Sequence, residues 1–520
     1  MTPTAHLDTF ARDHLPPHDQ WPELLLNREE FRYPDRLNVV AELLDRPVAD
    51  GRGGAVAIHT PDGSISYQQL QARVNRIVNV LQHDLHLTPG NRVLLRGANN
   101  AEMAACWLAV VKAGLIAVAT MPLLRAKELG EIIDRAQIGA ALCDLRLADE
   151  LRAAQDQQPI LRQVVYFNDP TPQGLAARCA LQPAEAKAVD TAADDVALIA
   201  FTSGTTGKPK GTLHFQRDLL AICDAFPRSI LKPRADDVFI GSPPLAFTFG
   251  LGGLLLFPLR YGASTVLLEK PSADHLLAAI AQYRATICFT APTSYRTMAA
   301  LAAQHDLTSL RQCVSAGEAL PDATRTLWRE ATGIEMIDGI GATEMLHIFI
   351  SAAPSEVRRG ATGKPIPGYQ AAVLDASGKL LPPGQVGRLA VKGPTGCRYL
   401  DDARQQDYVQ GGWNLTGDAY LMDADGYFFY QARTDDMIVS AGYNIAGPEV
   451  ESALLLHPAV AECAVIGVPD ETRGQIVKAF VVLKPGQVGD AAMVEALQTF
   501  VKQTIAPYKY PRAMVFVESL

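Results

Sequence analysis

The chain has 520 residues, of which 48% are hydrophobic and 20% charged, and its formal net charge is −9 at pH 7. This length exceeds what one hydrophobic core usually serves, so two or more domains are expected. The negative charge excludes a general nucleic-acid-binding protein, whose surface would be basic, although a local basic site for an anionic cofactor is still allowed.

The cysteines and the apolar segments favour a cytoplasmic enzyme that does not span a membrane. The eight cysteines are scattered without a CxxC pair, which favours reduced thiols in the core. The longest apolar run, 104–124, contains Lys112 near its middle, then Gly114 and Pro122. A charge at mid-bilayer is costly, so this run predicts a buried helix, a turn and a strand. The first residues lack the apolar core of a secretory signal.

Helical and strand patterns alternate along the first part of the chain. Apolar residues at Leu70, Val74 and Ile77 predict a helix over 66–80. Further elements are predicted as strands at 92–95, 115–118 and 140–143, with a helix at 105–111. This β–α alternation predicts an α/β fold of parallel sheets covered by helices.

A polar loop follows the apolar strand 196–200. From Phe201 to Gly211 it reads FTSGTTGKPKG. Glycines let backbone N–H groups approach an anion, hydroxyl groups add donors, and lysines add positive charge, so the loop is predicted to bind phosphate. It is not a Walker A loop, because Pro209 stands where that pattern requires glycine.

The remaining sequence continues the α/β pattern and then changes twice. Strands are predicted at 238–240, 264–268, 286–289 and 312–316. Between Gly363 and Gly393, glycine and proline turns separate short strands, which indicates a small β unit. Beyond Asp435 a compact α+β unit is predicted, with helices at 450–456 and 491–504 and strands at 463–467 and 478–483. The domain boundary is therefore predicted near Asp435.

Four segments together resemble the adenylate-forming superfamily of acyl-CoA synthetases, adenylation domains and luciferases. They are the phosphate loop, GIGATE at 339–344, LTGD at 415–418, and 433–451, which begins RTDD and ends PEVE. The resemblance covers nearly the whole chain. It implies a large N-terminal domain over residues 1–434, which binds ATP and the acid, and a small mobile α+β domain over 435–520. Asp435 is the implied hinge.

The resemblance implies two half-reactions. An acid is joined to the α-phosphate of ATP with release of pyrophosphate, and the acyl group then passes to the thiol of CoA. Glu344, with Thr205, is the implied Mg²⁺ ligand, and Thr343 the implied contact to the α-phosphate. The thiol is expected to pass a glycine loop at Gly442. The other implied nucleotide contacts are Thr202, Ser203, Gly204, Thr206, Gly207, Lys210, Gly317, Glu318, Ala319, Asp338, Gly339, Ile340, Asp418 and Arg433.

The segments 338–349 and 315–321 closely resemble benzoate-type CoA ligases, and the opening segments 8–13 and 21–23 look more like the 2-aminobenzoate branch. The implied reaction is therefore the activation of an aromatic acid, a step in aromatic degradation. Aromatic and aliphatic walls suit a flat ring. His347 is expected to close the pocket, to bind an ortho substituent, or to be a satisfied core histidine. The predicted acid-binding residues are Ala246, Phe247, Thr248, Phe249, Gly250, Ala291, Gly341 and His347.

One departure from the family concerns the last stretch. The family carries a catalytic lysine in a Pro-Lys-Thr-x-x-Gly-Lys pattern, and this sequence stops at Leu520, where that pattern should begin. Lys509 is not a match, and no residue is assigned to the role. A protein ending at Leu520 is expected to adenylate poorly yet to convert supplied acyl-adenylate to thioester.

Other functions stay open at this stage. The acyl group could pass to a carrier-protein thiol instead of CoA, or the acid could be of another kind, such as a long-chain fatty acid. An amino acid is disfavoured, because the segment 244–247 contains no acidic residue to hold an ammonium group. A nucleotide-binding protein without catalytic activity is the alternative from a different functional class. The oligomeric state is also open, and a homodimer is possible.

Overall fold

The computed structural model describes residues 3–202, 209–434, 436–440, 443–470 and 473–520. These residues form four sheets. Two are large and mainly parallel, one is a small antiparallel sheet, and one lies in the last part of the chain.

The strands are numbered in chain order. They are β1 (Val56–Thr60), β2 (Gly63–Ser66), β3 (Arg92–Arg96), β4 (Ile116–Thr120), β5 (Ala140–Asp144), β6 (Gln163–Phe167), β7 (Val196–Thr202), β8 (Lys210–Phe215), β9 (Val238–Gly241), β10 (Ser264–Val266), β11 (Ile287–Thr290), β12 (Gln312–Ser315), β13 (Met336–Gly341), β14 (Ile348–Ser351), β15 (Lys364–Pro365), β16 (Gln370–Leu374), β17 (Val386–Lys392), β18 (Val409–Gln410), β19 (Trp413–Met422), β20 (Phe428–Arg433), β21 (Ile438–Ser440), β22 (Tyr443–Ile445), β23 (Val460–Asp470), β24 (Gly474–Leu483) and β25 (Ala513–Phe516).

The α-helices cover both faces of the large sheets and are joined by short 3₁₀ and π turns. They are α1 (Phe10–Asp13), α2 (Tyr67–Asn79), α3 (Ala101–Lys112), α4 (Ala126–Ala136), α5 (Ala148–Gln157), α6 (Leu175–Ala180), α7 (Gln216–Phe226), α8 (Thr248–Leu251), α9 (Phe257–Tyr261), α10 (Ala273–Tyr283), α11 (Pro292–Leu301), α12 (Asp322–Thr332), α13 (Gln405–Tyr408), α14 (Gly447–Leu455) and α15 (Ala491–Thr504).

The two large sheets are parallel in their centres and antiparallel at an edge. The six-stranded sheet has the order β6-β5-β3-β4-β7-β8, and only the β7–β8 hairpin within it is antiparallel. The nine-stranded sheet has the order β15-β14-β13-β12-β11-β9-β10-β1-β2, with parallel pairing from β13 to β1. Parallel strands covered on both faces are apolar along their whole length, and β3, β4 and β5 are buried throughout.

The two smaller sheets are mainly antiparallel. β16, β17, β19 and β18 are neighbours in one, and β20 pairs with β19. The other has the order β22-β21-β24-β23, and β25 joins β24 in parallel. Val450, Leu454, Leu497 and Val501 are buried in a separate core beneath this last sheet.

Local side-chain hydrogen bonds begin several helices where the sequence supplies them. Ser66 Oγ accepts from the Gln69 N–H at 3.2 Å, and the Gln69 side chain accepts from the Ser66 N–H at 2.8 Å, a capping box at the start of α2. Asn100 accepts from the Met103 N–H at 2.9 Å in the same way at α3. These caps satisfy backbone donors that the first helical turn leaves without partners.

The structure confirms the predicted α/β class with a large sheet-containing part and a smaller α+β part. The apolar run 104–124 forms α3, a turn at Gly114 and β4, and among the described helices none has the length and apolar character needed to cross a bilayer. All eight cysteines lie in the described ranges, and each is a free thiol.

Several predicted boundaries were wrong; for example, the helix predicted at 105–111 begins at Ala101, and the strand predicted at 463–467 spans Val460–Asp470. The strand predicted to reach 268 ends at Val266, and beyond it Glu269 pairs with Arg146 at 2.7 Å. The small β unit, predicted to end near Gly393, continues to Arg433 through β19 and β20. Its longest strand was missed because Gly417, with φ +79°, and Asp418 look like a turn in sequence, whereas they lie inside β19.

Candidate active site

A cavity of about 920 Å³ lies where the carboxyl ends of β7, β12 and β13 face β19, β20 and α14. Ligand sites of open α/β sheets are typically found at such strand ends. The predicted residues that line it are Thr202, Lys210, Gly317, Glu318, Ala319, Asp338, Gly339, Ile340, Gly341, Thr343, Glu344, Asp418 and Arg433.

The β7–β8 hairpin brings the two described ends of the phosphate loop into this cavity. Thr202 and Lys210 are register partners across the hairpin. Among the described residues, no partner hydrogen-bonds the buried hydroxyl of Thr202, so it can serve a ligand. Seven predicted residues lie outside the described ranges: Ser203, Gly204, Thr205, Thr206, Gly207, Asp435 and Gly442.

Glu344 lies in the short 3₁₀ turn Thr343–Met345 after β13, and only 7% of it is exposed. Tyr399 Oη donates a hydrogen bond to Glu344 Oε1 at 2.5 Å and accepts one from Lys210 Nζ at 3.0 Å. Lys210 Nζ itself lies 3.6 Å from Glu344 Oε1. A cation, a phenol and a carboxylate therefore meet at one wall of the cavity.

A buried ion pair lies directly behind this wall. The guanidinium of Arg398 donates to the carboxylate of Asp218, and both side chains are fully buried. Asp218 also accepts from the Phe215 N–H at 2.9 Å. Next to the pair, the His214 ring nitrogen Nε2 lies 2.8 Å from the carbonyl oxygen of Thr343. The turn that carries Glu344 is thus tied to the end of β8.

Asp418 and Arg433 face each other across β19 and β20. They are register partners, and Arg433 Nη1 donates to Asp418 Oδ1 at 3.1 Å and to the carbonyl oxygen of Thr416 at 3.1 Å. Burial raises the pKa of the Asp418 carboxyl, while the charge of Arg433 opposes that rise. A buried carboxylate beside a guanidinium suits a ligand with vicinal hydroxyl groups.

The segments after β12 and along β13 form the opposite wall. Gly317, with φ +91°, begins an exposed stretch with Glu318 and Ala319, and Glu318 accepts from the Thr293 hydroxyl at 3.3 Å. Burial raises the pKa of the Asp338 carboxyl to about 7, with the charge of Arg325 opposing the rise. The small residues Gly317 and Ala319 leave room for a planar heterocycle, and the Asp338 carboxyl can accept from an exocyclic amine on it.

Of the predicted acid-binding residues, His347 and Phe249 lie together in an aromatic cluster. The His347 ring is buried and surrounded by Phe249 at 5.7 Å, Phe257 at 4.6 Å and Phe289 at 6.4 Å between ring centroids. Neither ring nitrogen has a hydrogen-bond partner among the described residues, and burial lowers the His347 pKa to about 3. His347 is therefore a neutral imidazole in an aromatic setting.

Gly341 joins this aromatic cluster to the cavity. It lines the cavity, and a Cβ placed on it would lie 2.8 Å from the His347 carbonyl oxygen, which only glycine avoids. A Cβ on Gly250 would lie 2.1 Å from the Pro244 carbonyl oxygen, so the chain turns tightly before Phe249. The other predicted residues are less central: Ala246 and Thr248 are half-buried, Phe247 is 45% exposed, and Ala291 caps α11.

Several residues of the cavity were missed in the sequence. Tyr399 and Tyr408 line it, and their rings are 5.7 Å apart in an edge-to-face contact. Glu449 of α14 also lines it and is paired with Lys509 at 2.5 Å. The PEVE segment pointed to α14, but no local pattern marked the tyrosines: Tyr399 depends on pairing with Thr212 of β8, and Tyr408 ends the short helix α13.

Comparisons with known proteins agree with this geometry. Residues 46–398 match the family model described as AMP-binding enzyme, and residues 449–520 match the AMP-binding enzyme C-terminal domain. The chain is 34% identical to a benzoate–CoA ligase of Thauera aromatica over 94% of each chain.

Two solved structures are similar over nearly the whole chain. A crystal structure of the anthranilate CoA ligase AuaEII in complex with anthranoyl-AMP has a TM-score of 0.90 and 35% identity, covering 95% of this chain and 96% of that one. A benzoate CoA ligase from Burkholderia xenovorans LB400 has a TM-score of 0.85 and 32% identity, covering 93% and 97%. The resemblance to adenylate-forming enzymes is thereby confirmed, and this chain belongs to the family of AMP-binding enzymes.

Proposed function

We propose that the protein is an ATP-dependent aryl-CoA ligase, which activates an aromatic acid of the benzoate or 2-aminobenzoate type and transfers it to CoA. The observation that carries this proposal is the single cavity in which Lys210, Glu344 and the Asp418–Arg433 pair converge, with the aromatic cluster around His347 behind Gly341. The named activities of the related ligases support the same assignment.

In this proposal, the cavity orients ATP along its length. Gly317, Glu318, Ala319 and Asp338 take the adenine, Asp418 accepts from the ribose hydroxyls with Arg433 beside it, and Thr202 and Lys210 contact the phosphates together with loop residues 203–207. The acid's carboxylate oxygen bonds to the α-phosphorus as the bond to the bridging oxygen breaks, and pyrophosphate leaves with the electron pair. Positioned cations and donors stabilise the charge that develops on these oxygens.

The residues present fit a magnesium ion held mainly by the nucleotide. Magnesium usually takes one or two carboxylates and completes its shell with water and phosphate oxygens. Glu344 is one buried carboxylate, its described contacts are to Oε1, and Oε2 can serve as a ligand. Among the described residues there is no cluster of three or more His, Cys, Asp or Glu side chains suited to a metal. When bound there, with Thr205, the ion would neutralise phosphate charge.

The acid is proposed to lie against Phe249, Gly341 and His347. Aromatic walls favour a planar ring. A neutral imidazole whose nitrogens lack partners can donate to or accept from one ortho substituent, which favours 2-aminobenzoate or 2-hydroxybenzoate over an aliphatic acid. The ring of Phe289, which packs 5.6 Å from that of Phe249, forms the floor of this region.

The test of the function is a coupled assay of pyrophosphate release with benzoate, 2-aminobenzoate, hydroxybenzoates and hexanoate, followed by mass detection of the CoA thioester. Aromatic acids should support both products. Pyrophosphate release with a carrier-protein acceptor but no CoA thioester would instead support carrier transfer. ATP binding without pyrophosphate release from any acid would support the non-catalytic alternative. We also propose a cytoplasmic location, as a single chain or a homodimer.

We propose that residues 435–520 form the mobile domain, that Asp435 is its hinge, and that Gly442 borders the path of the CoA thiol. Replacing Gly442 by leucine should leave pyrophosphate release within about threefold of wild type and lower thioester formation about 10²-fold, since a small misplacement can cost that much. Separate assays of the two products measure this. Ala492→Leu, at an exposed position of α15, adds the same side chain elsewhere. Equal losses of both products would contradict the assignment.

The raised pKa of Asp338 predicts pH-dependent binding of adenine. Above its pKa of about 7 the carboxylate is ionised and accepts strongly from the exocyclic amine, whereas below it the group is protonated. The Kd of adenosine should therefore rise about tenfold from pH 8 to pH 6, as expected for a single ionisation near 7. Adenosine is the probe for calorimetry because it carries no phosphate that titrates in this range. Asp338→Asn should flatten the dependence; an unchanged slope would assign it to another group.

A further inference from the structure

Tyr399 reaches the cavity from a segment that no motif marks. The segment 397–400 runs beside β8 as an extra strand: the Leu213 N–H donates to the Arg398 carbonyl oxygen at 2.8 Å, and the Leu400 N–H donates to that of Gly211 at 2.8 Å. Thr212 and Tyr399 are bridge partners between these hydrogen bonds. Since both sides of the pairing are buried, the Tyr399 ring has little freedom to move.

The phenol oxygen lies between two opposite charges. It is 3.0 Å from Lys210 Nζ and 2.5 Å from Glu344 Oε1, while the two charged atoms are 3.6 Å apart. A direct hydrogen bond between an ammonium and a carboxylate is usually about 2.7–2.9 Å long. The cation and the carboxylate are therefore within ion-pair distance but do not share a direct hydrogen bond.

The phenol is well suited to this place because it stays neutral. A phenol is ordinarily uncharged near neutral pH and can donate one hydrogen bond while it accepts another, as Tyr399 does toward Glu344 and Lys210. Its ring also faces the ammonium of Lys210 at 5.0 Å, a contact that phenylalanine would keep. The hydroxyl alone therefore separates the two charges.

We infer that Tyr399 is a positioning residue, whose hydroxyl keeps Lys210 and Glu344 from closing into a direct hydrogen bond and so leaves both available for a metal–nucleotide complex. This inference rests on the proposed function. Without the hydroxyl, Lys210 can move onto Glu344 and compete with the cation for the carboxylate. Loss of the hydroxyl should therefore reduce the increase in ATP affinity that magnesium causes. A general loss of protein stability would not have this effect.

The test measures ATP binding by calorimetry in EDTA and in excess Mg²⁺, and takes the ratio of the two affinities. For Tyr399→Phe the ratio should fall about tenfold below that of wild type, about the effect of losing one hydrogen bond to a charged group. The metal-free affinity should stay within about threefold, which also shows that the site still folds. In a Glu344→Gln background the same substitution should leave the ratio nearly unchanged, because the carboxylate that it serves is gone.

Tyr369→Phe is the matched control. Tyr369 is also buried, its hydroxyl lies 3.0 Å from the Thr395 hydroxyl, and it is not among the cavity residues. Its loss should lower the melting temperature about as much as Tyr399→Phe does, with no change in the affinity ratio. If Tyr399→Phe left the ratio of the two ATP affinities unchanged, even with equal losses of affinity in Mg²⁺ and in EDTA, the inference would be overturned but the proposed function would stand. A wild-type protein that binds no ATP would overturn the proposed function with it.

Discussion

Replacing Glu344 by glutamine is expected to reduce pyrophosphate release by about 10²–10³-fold, the usual cost of removing one preorganised electrostatic contact to a transition state. The amide has nearly the same shape and can still accept from Tyr399, but it carries no charge for a metal–nucleotide complex. The rate should be measured with saturating acid and ATP over a magnesium titration. Because the charge is lost, additional magnesium should not restore the rate.

Glu356→Gln is the control for this experiment. Glu356 is an exposed glutamate in the same part of the chain, and its loss removes the same charge from the protein. Its rate should match that of wild type. If Glu344→Gln kept more than a third of the wild-type rate, the carboxylate would not be the metal ligand and the proposed role of this residue would fail. Little change in melting temperature is expected, because the amide can still accept from Tyr399 and the Lys210 side chain is 21% exposed, so its charge can be solvated.

Replacing Asp218 by asparagine is expected to lower the free energy of unfolding by about 3–5 kcal/mol, because breaking a buried ion pair leaves an uncompensated charge in the interior. Arg398 is fully buried between the rings of Phe215 and Trp21, at 4.0 and 5.5 Å, and cannot reach water without disrupting them. Urea unfolding followed by intrinsic fluorescence measures the difference. The loss should appear in the midpoint rather than in the slope of the transition.

The pH dependence of this effect has a definite sign. Burial alone would raise the pKa of Asp218, but the Arg398 charge holds it below the usual value. The pair therefore stabilises the fold fully above the pKa of an unfolded aspartate, about 4, and this contribution is lost as the pH falls through the folded value. The difference between wild type and Asp218→Asn should be constant at neutral pH and shrink in acid.

An exposed pair provides the comparison for Asp218. Asp50 and Arg46 are 3.8 Å apart on the surface, with about two thirds of each side chain exposed. Asp50→Ala should change the free energy of unfolding by less than about 1 kcal/mol, as is usual for surface ion pairs. Similar losses from the Asp218 and Asp50 variants would mean that burial of the Asp218–Arg398 pair is not what makes it costly to break.

The sequence alone predicted those parts of the site that lie close to short motifs. Thr202 and Lys210 were placed at one loop and prove to be register partners, and Asp418 and Arg433, predicted from separate motifs, hydrogen-bond across β19 and β20. The polar and glycine residues of these motifs identify the loops, because few other functions need them together. The parallel sheets were likewise predictable from continuous apolar runs between helices.

The residues that support the site could not be predicted in this way. Tyr399, Arg398 and His214 occupy positions whose meaning depends on strand pairing between segments far apart in the chain. A tyrosine or arginine within a short irregular stretch has no periodicity that marks it as buried. The state of His347 was left open for a similar reason, since its aromatic neighbours come from three separate segments.

The Asp218–Arg398 pair also bears on how the protein is made. Its two members are 180 residues apart, so at about 5–20 residues per second the ribosome releases Asp218 about 10–40 s before Arg398. During that interval Asp218, in α7 directly after the β7–β8 hairpin, has no Arg398 to pair with, and the strand edge that 397–400 will cover is open. We therefore expect the first large sheet to be completed late in translation, with chaperones bound to that edge in the meantime.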